Sequence, residues 1–346
     1  MAEAFTRWTR SEEQGLCPNV KNPTFNVGMV FLKKETKHMN RYVKLILKWI
    51  LVFFVTSIVA FAIVRITPGS PVDITLTNLG LPKTEENVKA IEKLYHFDEP
   101  LIKQYFSWMK DFLSGEWGKS YLTQSSLKPE ILSRLPLSFG IGLGGIFLAM
   151  ALSFGLGYKA SLNDKGVYNY ISRALTLMSQ TMPVFLIILL TIYFLGVKFQ
   201  VIKFFTNVTP VAIILAIIFV AFPMVGPMSR AVRVHFKETA ESMFMQYYTL
   251  RGYDSKKALL KYGSRPALYG LFSIAISKFS SVIGGATVVE YAMALPGLST
   301  FLIESISRRD YPMVQSYIMI LVLWMFLVNI VFEFIMGRIL KREVSS

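Results

Sequence analysis

Long apolar runs separated by short charged segments set the pattern of this chain. A helix that crosses a bilayer needs about 20 predominantly apolar residues, because the hydrocarbon core offers no water to a free backbone group. Six segments meet or approach that length: 43–66, uncharged from Trp49 to Val64; 135–158; 174–197, which carries no charge; 209–229; 267–289, which contains Lys278; and 313–336, which contains Glu333. Lys48 and Arg65 flank the first run and are placed to snorkel to the two surfaces. Gly140, Gly142, Gly144, Gly145, Pro183, Pro223 and Pro227 fall inside these runs. They would break soluble helices, but in membrane helices they permit kinks or close approach. The pattern predicts an all-α integral membrane protein of six transmembrane helices, with a large loop, 67–134, after the first.

The charges between the runs predict the orientation, since Lys and Arg resist translocation. Lys and Arg exceed Asp and Glu by 3, 2, 5 and 2 in segments 39–48, 159–173, 230–265 and 338–346. On the other side, 68–134 has 8 basic and 9 acidic residues, 198–203 has 2 basic, and 290–310 has 2 basic and 3 acidic. Both termini are therefore expected to be cytoplasmic and 67–134 extracytoplasmic, with Lys198 and Lys203 slightly against the rule.

Composition agrees. The chain has 346 residues, 53% hydrophobic and 17% charged, and a mean hydropathy of +0.45. That is too apolar for an ordinary soluble domain. The net charge of +15 lies mainly between apolar runs instead of on one basic patch, which argues for membrane lipid and against nucleic acid as the partner. A single cysteine, Cys17, excludes an intramolecular disulfide framework and a multi-cysteine metal site. His38, His96 and His235 are too scattered to suggest a shared metal.

The stretch Ser114-Gly-Glu-Trp-Gly-Lys-Ser-Tyr121 contains the Gly118-Lys119-Ser120 ending of a phosphate-binding loop. Leu113 occupies the place of that motif's first glycine, and such a loop must follow a buried strand. The preceding residues instead show helical spacing of Tyr105, Trp108, Met109 and Phe112. Gly115 and Gly118 are expected to shape a turn in the outer loop, away from cytosolic nucleotide.

Residues 1–38 are polar, end in Lys33, Lys34 and Lys37, and lack the apolar core of a signal peptide. They read as a disordered cytoplasmic tail or as an extension from a misassigned start, with Met39 as the favoured start because residues 39–54 already resemble the opening of a membrane protein. Segment 230–266 is the longest inner loop and reads as two short helices broken at Gly252. Met243, Tyr247 and Leu250 recur at helical spacing, as do Ala258, Leu259 and Tyr262, with Asp254 or Ser255 capping the second helix. Periodicity alone leaves open whether this amphipathic pair packs on its own spans or lipid, or docks into a groove on a soluble partner.

Segment 230–266, with Gly252 and the later Ser264-Arg-Pro-Ala-Leu268, resembles the cytoplasmic loop of binding-protein-dependent ABC importer permeases, which carries the pattern E-A-A-x-x-x-G. In that family the loop supplies a coupling helix seated in a groove of an ATP-hydrolysing subunit. The resemblance places Gln246, Tyr247 and Tyr248 at the E-A-A positions and Gly252 at the glycine; only the glycine matches. Residues 284–320 resemble more closely the C-terminal signature of the oligopeptide, dipeptide and nickel branch, through Glu290, Pro296 with Gly297, and Arg309, Asp310, Tyr311 and Pro312, a set expected to be structural. Residues 65–73 resemble that branch's P-G-D-P turn, with Ser70 in place of Asp. Residues 95–121 resemble its outer-loop segment.

The resemblance implies the type I ABC importer permease fold, with a core domain 135–337 and a cytoplasmic tail 338–346, in a bacterial-type plasma membrane. It implies transport of peptides or a related small solute such as nickel, with four kinds of partner: a second homologous permease, two ABC ATPase subunits, an extracytoplasmic binding protein and membrane lipid. ATP and Mg would sit on the ATPases, with no cofactor on this chain. The residues themselves show no complete nucleotide loop, catalytic triad or metal cluster. Lys278 is a candidate for the translocation pathway or for pairing between subunits, because an isolated charge in a span costs about 2.5 to 3.5 kcal/mol. An ATP-independent transporter or channel, or a membrane scaffold or sensor, remains the alternative.

Overall fold

The computed structural model describes residues 27–66, 70–94, 96–121, 123–204, 208–280 and 282–343. Residues 1–26, including Cys17 and most of the expected extension 1–38, lie outside the described residues. Helix α1, Val27–Ile66, runs through residue 39 without a break. The chain divides after Leu51, and the packing below concerns residues from Val52 onward.

Helices account for nearly all of the described structure. The segment between the first and second spans folds into α2 (Pro71–Asn78), α3 (Glu85–Leu94) and α4 (Leu101–Ser114). There follow α5 (Leu127–Ser161), α6 (Val167–Thr181), α7 (Val184–Thr191) with a wider π turn over Ile192–Lys198, and α8 (Pro210–Ala240). The remainder is α9 (Met243–Leu250), α10 (Ser255–Ser280), α11 (Val282–Gly285), α12 (Thr287–Ala292), α13 (Leu298–Ser307) and α14 (Tyr311–Glu343). Helix starts follow local capping chemistry. Ser70 and Thr209 accept from the amides of Val72 (3.2 Å) and Ala212 (3.1 Å), each just ahead of a proline that opens the helix. Ser242 caps α9 through the Met245 amide (3.4 Å).

Among the described residues, four continuous helices are long and apolar enough to cross a membrane: Val43–Ile63, Leu127–Ser161, Pro210–Ala240 and Tyr311–Phe334. The other two expected spans are not straight. Segment 174–197 is divided between α6 and α7, which meet at a bend of 98°. The cause is local: Met182, before Pro183, takes an extended conformation at φ −97°, ψ 119°, as the proline ring disfavours a helical residue ahead of it. Segment 267–289 is divided among α10, α11 and α12. Its first part belongs to a helix that starts back at Ser255, so the expected second short helix of the 230–266 loop is the beginning of α10 and not a separate element.

Helix α8 is the centre of the packing. Small residues let its neighbours approach: a Cβ on Gly157 of α5 would lie 2.6 Å from the Ser229 carbonyl oxygen, and one on Gly226 of α8 would lie 2.5 Å from the Thr176 Cα of α6. Hydrogen bonds hold the same contacts, with Ser153 Oγ donating to the Val225 carbonyl (3.0 Å) and Ser172 Oγ meeting Ser229 Oγ (2.8 Å). Toward the end formed by 159–166 and 230–262, a core of Met228, Val232, Phe236, Leu259 and Leu271 also takes in Met245 of α9. Toward the opposite end, Leu127, Ile131, Leu298, Phe301, Met313 and Tyr317 form a second core.

Candidate functional site

At one end of the bundle, α9 is a short helix with one fully buried side chain. Met245 is buried in the main core, while Met243, Tyr247 and Leu250 are 86%, 52% and 88% exposed. Their spacing of four and three puts them on one face of the helix, and that face is turned outward. The corresponding pattern on α10 is turned inward, with Ala258 and Leu259 buried and Tyr262 packed against the core. Asp254 caps α10 through the Lys256 amide at 3.0 Å. Gly252 joins the two helices at φ +79°, a left-handed conformation that an L side chain resists.

The four residues aligned with the coupling motif are thus not equivalent. Gln246 and Tyr247 are exposed, and Arg251 lies 4.6 Å from the Tyr247 ring centroid. Tyr248 turns the other way, with ring centroids 4.9 Å from Phe244, 5.2 Å from Tyr253 and 5.2 Å from Tyr262. Its hydroxyl meets that of Tyr262 at 3.2 Å, and this bond, with burial, raises the Tyr248 hydroxyl above its ordinary pKa. Beside this loop, Asp164 accepts from Arg233 (2.6 Å) and from Lys237. Lys237 first and Arg233 second hold its carboxyl below the usual carboxylate range. Segments 159–173 and 230–265, both assigned to one side by charge, therefore meet.

The signature residues gather at the opposite end. Glu290 is fully buried and accepts from the Ser299 amide (3.0 Å) at the start of α13, while Ser138 accepts from the neighbouring Leu298 amide (2.8 Å). A carboxylate at a helix N-terminus is favourably placed. It also accounts for Gly297, whose Cβ would collide with the Glu290 carboxylate. Arg309 takes φ +60° and closes α13 as the amide of Asp310 returns to the Ser305 carbonyl (2.7 Å).

Asp310 is fully buried. It accepts from Ser120 Oγ at 2.5 Å and from the Tyr121 amide at 2.9 Å. Tyr311 packs with Ile74 and Tyr121, and Ser316 Oγ donates to the Trp117 carbonyl at 2.8 Å. The Gly-Lys-Ser stretch is thus bound to the Arg-Asp-Tyr-Pro turn. It follows a helix and not a strand, Gly115 and Gly118 take φ +90° and +87°, and Ser120 is committed to Asp310. Sequence pattern argues against a phosphate role for Gly118-Lys119-Ser120 but does not reveal the partner of Ser120, and it gives no sign of Ser138.

Lys278 lines a cleft of about 150 Å³ together with Gly142, Val220, Pro223, Met224 and Val282, so α5, α8, α10 and α11 all contribute to it. Glu333 lies on α14, remote in sequence from that cleft. Among the described residues no group of three or more His, Cys, Asp or Glu side chains is arranged to hold a metal.

Residues 143–344, more than half of the chain, match the family described as binding-protein-dependent transport system inner membrane component. The dipeptide transport system permease protein DppB of Bacillus subtilis is 28% identical over 293 residues, 82% of this chain and 92% of the relative. The oligopeptide transport system permease protein OppB of Haemophilus influenzae is 27% identical, covering 76% of this chain and 85% of its own length. A nickel import system permease protein, NikB of Staphylococcus aureus, is 23% identical over 82% of this chain and 85% of its own length.

Proposed function

Because the chain belongs to the family of binding-protein-dependent transport system inner membrane components, we propose that it forms half of the translocation pathway of an ATP-driven importer for peptides or a related small solute such as nickel. The relatives named for dipeptide, oligopeptide and nickel transport support that range of cargo. A second, homologous permease would complete the pathway, two ATPase subunits would carry ATP and Mg, and an extracytoplasmic binding protein would deliver the solute. Both termini would be cytoplasmic, as the basic segments suggest.

The observation that carries the reading is α9: a helix anchored by buried Met245 that turns Met243, Tyr247 and Leu250 outward. An amphipathic helix with an unfilled apolar face suits a groove on a soluble partner. Gln246 and Tyr247 would then touch an ATPase subunit, Gly252 would set the angle of the helix, and Tyr248 would act from behind it. Closure of the ATPases would move α9 and α10 together and shift the bundle between inward-facing and outward-facing states, provided nucleotide binds one state more tightly. Lys278, on α10 and beside the cleft, would meet the solute or a carboxylate of the second permease.

Vesicles reconstituted with this chain, its ATPases, the second permease and the binding protein test the reading. They should take up labelled peptide or nickel only with ATP inside the compartment that faces α9, and the chain purified alone should hydrolyse none. Turnover surviving removal of every partner, or uptake without ATP, would overturn it.

A further inference from the structure

Helix α4 carries three different faces. The first packs inward: Gln104, Met109 and Phe112 are buried, Tyr105 and Trp108 lie 5.5 and 6.0 Å from the Phe61 ring, and Tyr105 Oη meets Ser57 Oγ at 2.7 Å. The second is apolar and exposed, with Ile102, Phe106 and Leu113 at 73%, 65% and 65%. At 3.6 residues per turn these three fall within about 40° of one another. The third face is polar and exposed, made of Lys103, Ser107, Lys110 and Ser114, and is centred about 100° further round the helix.

The depth of the inward contacts is informative. Ser57 stands six positions before Ile63, the end of the apolar part of α1, which is about 9 Å at 1.5 Å per residue. Met319, which shares a cluster with Met109, Phe112 and Phe53, stands eight positions into α14, or about 12 Å. Both partners of α4 are therefore membrane helices touched well below their ends. α1 itself leaves Val55, Ile58, Val59 and Ile63 about half exposed, as a lipid-facing helix does.

We infer that α4 is an interfacial helix, inserted among the acyl chains of one leaflet through Ile102, Phe106 and Leu113. Its polar strip would lie toward the headgroups. Helices of this kind sink their apolar face roughly 5 to 10 Å into the headgroup–acyl boundary, which is the depth at which α4 meets α1. A soluble protein would have to enter the leaflet to cover this face, whereas lipid is already there beside α1. The segment after the first span is then a partly embedded collar that fixes α1 against α14. This inference requires only that the chain is a membrane protein and is independent of what it transports.

Site-specific fluorescence on the complete complex in phosphatidylcholine vesicles tests it. With Cys17→Ser and the partners' cysteines replaced, one reporter is attached at a time through Phe106→Cys, Leu113→Cys, Lys103→Cys or Lys110→Cys. All four positions are exposed, so the label does not require repacking, and the size of each labelled complex on a gel-filtration column verifies assembly. Brominated acyl chains should quench the reporters at 106 and 113, with little loss to aqueous iodide, and iodide should quench those at 103 and 110. Iodide quenching at 106 and 113 would place the face in water, and protection from both quenchers would place it under protein; either result overturns the inference.

Discussion

The Asp310 carboxylate receives the Ser120 hydroxyl at 2.5 Å and the Tyr121 amide at 2.9 Å. Two segments 190 and 189 residues apart thus meet through one buried side chain at the start of α14. The bond explains why an acidic residue stands in the Arg-Asp-Tyr-Pro turn: it closes α13 through its amide and ties down the segment between α4 and α5 through its carboxylate.

Removing that acceptor takes one bond from a buried amide and one from a buried hydroxyl, at a cost of about 1 to 3 kcal/mol for such a group. Asp310→Ala should therefore lower the thermal midpoint of the purified complex clearly more than Asp310→Asn, which keeps a carbonyl oxygen. Burial raises the Asp310 carboxyl above its usual value, against the opposing pull of Ser120 and Tyr121. The folded state then binds the proton more tightly than the unfolded one, so this group's contribution to stability falls as pH rises from the unfolded value through the folded one. The midpoint of wild type relative to Asp310→Asn should therefore rise on acidification, since only the carboxyl gains from the proton. A wild-type advantage that shrinks on acidification would contradict the sign.

Gly226 makes a sharper packing test. The Cβ of any other residue would meet Thr176 Cα at 2.5 Å and its amide nitrogen at 2.7 Å, and backbone atoms cannot rotate away. Gly226→Ala should force α6 off α8, at about 1 to 3 kcal/mol for overpacking of this kind. Gly140, on α5, has open space around its Cβ, so Gly140→Ala is the matched control and should be close to neutral. Denaturant midpoints of the two variants in detergent should separate; equal midpoints would mean that the close approach is absent.

Much of this architecture was readable because periodicity reports faces. The spacing of Met243, Tyr247 and Leu250 marks one face of α9, Gly252 marks the turn, and Asp254 is one of the two caps the sequence offers. What was not readable depended on conformation and not on composition. Pro183 is compatible with either a mild kink or a break, and only the extended Met182 produces the 98° bend. An apolar segment such as 267–289 does not reveal where its helical hydrogen bonds stop. Tyr248 was grouped with Gln246 and Tyr247 by alignment, although its spacing of four from Phe244 already pointed to a different face. The Ser120–Asp310 pair has no local signature, since its members belong to different elements and meet only through the fold.

Tyr248 and Tyr262 supply the next prediction. With Phe244 and Tyr253 they lock α9 to the first turns of α10, which then runs unbroken from Ser255 past Lys278. If α9 receives the push of an ATPase, this cluster carries it to the cleft. Tyr248→Phe and Tyr262→Phe each remove the hydroxyl pair but keep the rings, and should leave solute moved per ATP nearly unchanged. Tyr248→Ala should lower that ratio while the complex still co-purifies with its ATPases. Tyr248→Ala combined with Tyr262→Ala should lower it by less than the product of the two single effects, as contacting residues do in a double-mutant cycle. Full multiplicativity would show that the two rings act separately.

Gly252 separates a backbone requirement from a spatial one. Nothing lies within 4 Å of a Cβ built there, yet its φ is +79°, so a substitution is opposed by its own backbone and not by a neighbour. Left-handed conformation costs most residues roughly 1 to 2 kcal/mol, and Asn less. Uptake by reconstituted vesicles should accordingly rank Gly252 above Gly252→Asn, then Gly252→Ala, then Gly252→Val, in the order of tolerance for positive φ. Gly252→Leu, larger than Val but without its branch at Cβ, should do no worse than Gly252→Val. If loss of uptake instead follows side-chain volume, with Asn worse than Ala, the loop must be pressed against a partner surface at this point, and the angle of α9 is set by that contact and not by the glycine.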